Sequence, residues 1–128
     1  GVAAVEDVLR VVALAGAAQM PIDALSGGQL QRALFARLML RQAQVILLDE
    51  PFAAVDHATT EDLLALLRGW HGEGRTIIAV LHDLDMVRAH FPQTLLLAGQ
   101  VVGWGPTAQI LTSENLHLAR HLSSGLLP

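Results

Sequence analysis

The sequence predicts an α/β fold in which parallel strands are flanked by helices and followed by a terminal β-hairpin. The apolar runs Val45–Leu48 and Thr76–Leu81 have the length and composition of buried strands. Between them, residues 63–70 carry leucines and a tryptophan at helical spacing, so the three segments form a βαβ unit whose crossover we expect to be right-handed. Thr94–Leu97 and Val101–Trp104 flank a short loop and predict the hairpin.

Two helices are expected before the first strand. Val5, Val8, Leu9 and Val12 follow the i, i+3, i+4, i+7 rule, which predicts an amphipathic helix over residues 3–15 that stops at Gly16. A second helix is predicted over residues 27–41. Apolar residues lie on nearly all of its faces, so we expect this helix to be buried.

The start of the second helix has the features of a phosphate site. Ser26 and Gln29 have capping-box spacing, in which a hydroxyl accepts a backbone N–H and a side-chain amide reaches back. Gly27 and Gly28 remove Cβ bulk where a ligand could approach the backbone. Free N–H groups and the positive end of the helix dipole favour an anion at this position.

Polar side chains follow both strands of the βαβ unit. Asp49 and Glu50 end the first run, and His82 comes directly after the second. Since the carboxyl ends of parallel strands share one edge of the sheet, we expect all three residues at that edge, where α/β proteins bind ligands. Short helices are predicted over residues 83–90, before the hairpin, and over residues 113–122, near the C-terminus.

Composition narrows the class of protein. The 128 residues contain no cysteine, which excludes disulfides and thiolate metal sites. A net charge of −4 gives no general attraction to nucleic acid. All eight basic residues are arginine, so the lysine-containing phosphate loop G-x-x-x-x-G-K-[ST] is missing from this chain.

Four ordered motifs resemble the ATP-binding cassette (ABC) family. Leu25–Gln29 matches its signature motif, Val45–Glu50 its Walker B motif, Ala53–Asp56 its D-loop and His82 its switch histidine. The resemblance covers the C-terminal part of a P-loop NTPase-type domain, without the Walker A and glutamine loops. It implies that residues 1–41 are the end of the helical subdomain with the signature helix, that residues 42–128 are the C-terminal part of the catalytic core, and that the chain is a fragment.

The resemblance also implies a role for each matching residue. Glu50 would be the general base for hydrolysis and His82 would sense the γ-phosphate, while Asp49 would hold Mg²⁺ through water. The residues that would bind ATP from the facing subunit are Ser26, Gly27, Gly28 and Gln29, and Asp56 would help to shape that site across the dimer interface.

These roles imply an assembly. In the family, two nucleotide-binding subunits face each other head to tail. For this chain we therefore expect a second such subunit and a separate integral membrane permease as partners, and the negative net charge predicts no nucleic acid partner. The expected location is cytoplasmic, on the inner face of the cell membrane. Three stretches look like the corresponding stretches of ABC proteins from metal-ion uptake systems. They are the segment Gly105–Leu116, the run Asp49–Ala53 and the strand Leu95–Leu97. Neither the transported solute nor the permease follows from the sequence.

Alternative interpretations stay open. The chain could belong to a soluble ABC ATPase of DNA repair or translation, although it has no heptad run and no basic face, or it could be a nucleotide-free interaction module. His117 and His121, with Glu114 nearby, could grip a metal from one helix face, but such pairs are more often solvated surface. Arg32 and Arg37 are interpreted as structural ion-pair formers rather than ligand contacts.

Overall fold

A computed structural model describes residues 2–124. The chain divides after Val80 into two compact units, each with its own sheet of two strands within the described residues. The first unit contains helices α1 (Val2–Val11), α2 (Gly27–Arg41) and α3 (His57–Gly72), with strands β1 (Val45–Asp49) and β2 (Thr76–Val80). The second contains α4 (Leu84–His90), β3 (Gln93–Leu97), β4 (Val101–Pro106), α5 (Thr107–Ile110) and α6 (Ser113–Ser123).

Helix α1 ends four residues earlier than its pattern predicts. Ala13 adopts the left-handed conformation, with φ of 60°. The Leu14 N–H donates to the Leu9 carbonyl (2.7 Å) and the Ala13 N–H donates to the Arg10 carbonyl (3.1 Å), which together form a Schellman motif. The expected stop at Gly16 was wrong because an alanine takes the position that glycine usually fills, and burial of Leu14 holds the turn in place.

The βαβ unit is confirmed. Strands β1 and β2 pair in parallel, with Ile46 opposite Ile77 and Asp49 opposite Val80. One sheet face belongs to the core, where Ile46 is 2% exposed, and α3 contributes buried side chains to the same core. These are Leu63, Leu64, Leu67 and Trp70. The spacing that predicted α3 therefore marks the face that it buries.

Helix α2 is less buried than expected. Only Phe35 and Ala36 are fully buried on it, whereas Leu30, Leu34 and Leu40 are exposed. The Phe35 ring stacks on both Phe52 and Trp70, with centroids 6.2 Å apart in each pair. The expectation of all-round burial was wrong because, within this unit, only one side of α2 meets other elements.

The first unit leaves an apolar surface open on the other face of its sheet. Val45 and Leu47 on β1 share this face with Ile78 and Val80 on β2, as the register and the alternation of side chains require. All four are more than half exposed, and Leu47 is 71% exposed. Parallel strands are normally covered on both faces, so this sheet has the surface of a larger layered fold.

The second unit confirms the predicted hairpin. Strands β3 and β4 pair antiparallel, with Thr94 opposite Gly105 and a register shift at Leu96/Leu97. Gly103 lies against α5, since an added Cβ would stand 3.1 Å from Ile110 Cδ1. The last helix, α6, begins after Thr112, whose hydroxyl accepts from the Asn115 N–H at 3.2 Å. Among residues 2–124, no helix is both long and apolar enough to span a bilayer.

Candidate functional site

The start of α2 forms the capping box that the sequence predicts. The Ser26 hydroxyl accepts from the Gln29 backbone N–H at 3.1 Å, and the Ser26 N–H donates to Gln29 Oε1 at 3.0 Å. Ser26 is exposed, so this helix end faces outward rather than into a packed interior. As first-turn residues, Gly27 and Gly28 keep amides that have no partner within the helix. The local geometry therefore suits an anion.

The two glycines are not required by the packing of this chain. A Cβ added to Gly27 would lie 3.6 Å from Ala54 Cβ, and one added to Gly28 would lie 3.8 Å from the Ala54 carbonyl oxygen. Both distances are ordinary van der Waals contact, and neither glycine has a positive φ. A side chain would fit against the chain itself, so the bare backbone here matches the close approach of a group from outside.

The acid pair lies at the carboxyl end of β1. Asp49 is the last strand residue and is exposed, whereas Glu50 is half-buried in the bend that follows. The Glu50 N–H donates to the Val80 carbonyl at 3.0 Å, which continues the pairing with β2 by one bond. Glu50 has φ of 49°, a left-handed conformation that costs a residue with a side chain roughly 1–2 kcal/mol. Such strain persists only where neighbouring contacts hold the backbone.

Gln31 supplies one of these contacts, and sequence reasoning missed it. Its side-chain amide donates to the Pro51 carbonyl at 2.7 Å and lies 3.5 Å from the Glu50 carbonyl oxygen. Gln31 is half-buried on α2, two residues beyond Gln29. The contact joins residues twenty apart in the chain, so no local spacing could have revealed it.

Asp56 is part of a second link between α2 and the residues that follow β1. As N-cap of α3, its carboxylate accepts from the Thr59 N–H at 3.1 Å and from the Thr59 hydroxyl at 2.6 Å. Arg32 lies 3.6 Å from the same carboxylate and also donates to the Thr59 hydroxyl. The ion-pair interpretation of Arg32 is thus confirmed. Arg37, by contrast, is exposed and forms no ion pair among residues 2–124.

The Thr59 contacts change the acidity of Asp56. The Thr59 hydroxyl, followed by the Thr59 backbone N–H, holds the pKa of Asp56 below its ordinary value, and the charge of Arg32 adds a smaller effect. Asp56 is therefore ionised in the folded chain down to lower pH than a free aspartate. The capping role could have been inferred, because an aspartate before a helical apolar pattern is a common N-cap.

His82 belongs to the second unit, whereas Ser26, Gly27, Gly28, Gln29, Asp49, Glu50 and Asp56 all belong to the first. It is exposed in the connection between β2 and α4. The next residue, Asp83, caps α4 by accepting from the Met86 N–H at 3.1 Å. His117 and His121 are exposed on α6, and among residues 2–124 no three His, Cys, Asp or Glu side chains are grouped so that they could hold a metal ion.

Comparison with known proteins places this geometry in a family. The sequence profile described as "ABC transporter" matches residues 2–53, which include the capping box and the acid pair. The manganese transport system ATP-binding protein MntB of Listeria monocytogenes is 38% identical over 113 residues, which are 88% of this chain and 47% of that protein. The zinc transport system ATP-binding protein TroB of Treponema pallidum is 38% identical over 109 residues, 84% of this chain and 41% of its own length.

A solved structure gives the same result in three dimensions. An inward-facing metal-chelate type ABC transporter superposes with a TM-score of 0.80 at 35% identity, over 93% of this chain and 48% of that chain. The chain thus spans about half the length of the relatives that it matches. Its signature-type helix start, strand-end acid pair and P-loop NTPase-type fold identify it as a C-terminal part of an ABC ATP-binding domain that resembles those of metal uptake systems.

Proposed function

We propose that the chain is part of the ATP-hydrolysing subunit of an ABC importer, with a divalent metal ion as the leading candidate solute. The observation that carries this proposal is the exposed capping box of Ser26 and Gln29, which presents two glycine amides on a helix end that the chain itself leaves open. The manganese and zinc transport relatives support the choice of solute.

The division of labour within the proposed site follows from the residues present. Ser26, Gly27, Gly28 and Gln29 would bind the phosphates of an ATP held by a facing subunit, since a positive helix end attracts anions. Asp49 would hold Mg²⁺ together with the phosphates, because its exposed carboxylate is the oxygen ligand that this ion prefers. Bound there, the ion would neutralise charge on the phosphates.

Glu50 would act as general base. Its carboxylate stands one residue beyond the strand and could accept a proton from an attacking water. His82 would donate a hydrogen bond to the γ-phosphate, and Asp56 would shape the site from the start of α3. In this proposal, residues 1–41 would be the end of the helical subdomain with the signature helix. Residues 42–128 would be the C-terminal part of the catalytic core.

The chain holds only part of such a site. Because residues 1–128 contain no lysine, a phosphate loop must come from residues outside this sequence. The proposed site also needs a second nucleotide-binding subunit that faces this one head to tail. Its partner in transport would be an integral membrane permease, which places the assembly at the inner face of the membrane. The 128-residue chain alone is expected to bind ATP very weakly and to show no Mg²⁺-dependent turnover.

The test uses the full-length protein that carries this chain, purified with and without Glu50→Gln. We expect Mg²⁺-dependent ATP hydrolysis in the unchanged protein and loss of at least about a hundredfold in the variant, the scale of a lost general base, with ATP binding retained. Hydrolysis that is insensitive to Glu50→Gln would contradict the assigned role. Transport of radioactive Mn²⁺ or Zn²⁺ into cells that express the whole system tests the solute separately.

A further inference from the structure

We infer that Gln31 is a positioning residue for Glu50: its side-chain amide holds the backbone of the proposed general base in the conformation that aims the carboxylate. This inference rests on the proposed function, since it concerns the same site. It starts from the left-handed conformation of Glu50, whose φ is 49°. A residue with a side chain keeps such a conformation only when neighbouring contacts impose it.

Hydrogen bonds fix the backbone on both sides of the Glu50 Cα. On the N-terminal side, the Glu50 N–H donates to the Val80 carbonyl at 3.0 Å. On the C-terminal side, the Gln31 amide donates to the Pro51 carbonyl at 2.7 Å and stands 3.5 Å from the carbonyl of Glu50 itself. Together these hydrogen bonds restrain the backbone angles φ and ψ of Glu50, which set the direction of its Cα–Cβ bond. Gln31 thereby determines where the Glu50 carboxylate can reach.

Gln31 is itself firmly placed. It projects from α2 one turn after Ser26 and is half-buried. The next residue, Arg32, holds the start of α3 through Asp56 and Thr59. Two successive residues of one helix therefore fasten α2 to the segments on either side of the loop after Glu50.

The experiment compares variants of Gln31 in the full-length protein by steady-state ATP hydrolysis and thermal unfolding. Gln31→Glu keeps the shape of the side chain but replaces the donor with a carboxylate that faces two carbonyl oxygens. Gln31→Met removes the donor without adding charge, and Gln31→Lys restores an N–H donor of sufficient reach. Gln19→Glu makes the same change on an exposed glutamine outside the site.

We expect kcat to fall about tenfold or more in Gln31→Glu and Gln31→Met, with KM for ATP changed less than about twofold, because nucleotide binding uses other residues. Gln31→Lys should regain most of kcat, and Gln19→Glu should match the unchanged protein. If Gln31→Glu does not fold, Gln31→Met decides. Unchanged kcat in the folded variants, or an equal loss in Gln31→Lys, overturns the inference.

Failure of the inference can be told apart from failure of the proposed function. If Glu50→Gln abolishes hydrolysis while the Gln31 variants behave as the unchanged protein does, only the positioning role is wrong. If the unchanged protein does not hydrolyse ATP, the proposed function is wrong. If it does but Glu50→Gln has no effect, the role assigned to Glu50 is wrong. In either case the positioning role falls as well.

Discussion

Substitution of Ser26 separates the folding role of the helix cap from its proposed role in binding phosphate. The Ser26 hydroxyl accepts one backbone N–H in an exposed capping box. Asparagine and aspartate cap helices about as well as serine, whereas alanine loses the bond at a cost of about 1 kcal/mol. Ser26→Asn and Ser26→Asp should therefore unfold at nearly the original temperature, and Ser26→Ala roughly 4 °C lower.

Activity should follow a different order. An aspartate carboxylate about 4 Å from a phosphate charge is repelled by about 4 kcal/mol at the effective dielectric near a protein surface. Each ~1.4 kcal/mol is a factor of ten in affinity. Ser26→Asp should therefore weaken the contact of this helix end with the ATP on the facing subunit about a thousandfold. Ser26→Asn carries no charge and should lose far less, so the two well-folded variants should differ by orders of magnitude in ATP hydrolysis.

The assay is ATP hydrolysis by the full-length protein across a range of ATP concentrations, alongside thermal unfolding of each variant. Thr112→Asp places the same charge at another helix start, the N-cap of α6, and serves as the matched control. It should leave both stability and hydrolysis close to those of the unchanged protein. Equal hydrolysis by Ser26→Asp and Ser26→Asn would refute the reasoning, because it would mean that no phosphate approaches this helix end.

Three further predictions concern other parts of the first unit. Gly28→Ala should leave the thermal stability unchanged or slightly higher, because the added Cβ has room and alanine favours helices. ATP hydrolysis should nevertheless be lost, and unimpaired hydrolysis would contradict the proposed contact of Gly28 with phosphate. Because the pKa of Asp56 is lowered in the folded chain, the stability that the ionised carboxylate contributes is complete above the unfolded pKa near 4 and is lost as pH falls through the folded value. Acid unfolding of Asp56→Asn and of the unchanged protein measures this contribution, and identical acid profiles would argue against it. The isolated chain should self-associate at about 10–100 µM, where exposed apolar surfaces aggregate, and Leu47→Lys should reduce this; a monomer by light scattering would contradict it.

The sequence predicted the features that depend on residues close together in the chain. The capping box of Ser26 and Gln29 could be read from a spacing of three, and both of its hydrogen bonds are present. The parallel strands and the hairpin followed from apolar runs and their punctuation. The end of α1 was missed although it is local, because Ala13 adopts a conformation that sequence rules assign to glycine.

The tertiary structure alone decided how the two predicted motifs are joined. Gln31 reaches the loop after Glu50 across twenty residues, and Arg32 reaches Thr59 across twenty-seven. Such contacts depend on where α2 crosses the end of β1, and nothing in the spacing of residues encodes that crossing. The sequence by itself determined which groups could contact a phosphate and which could accept a proton from water in the proposed site, because helix caps and strand ends are local features. Only packing decided that the helix with the capping box also holds the loop after Glu50.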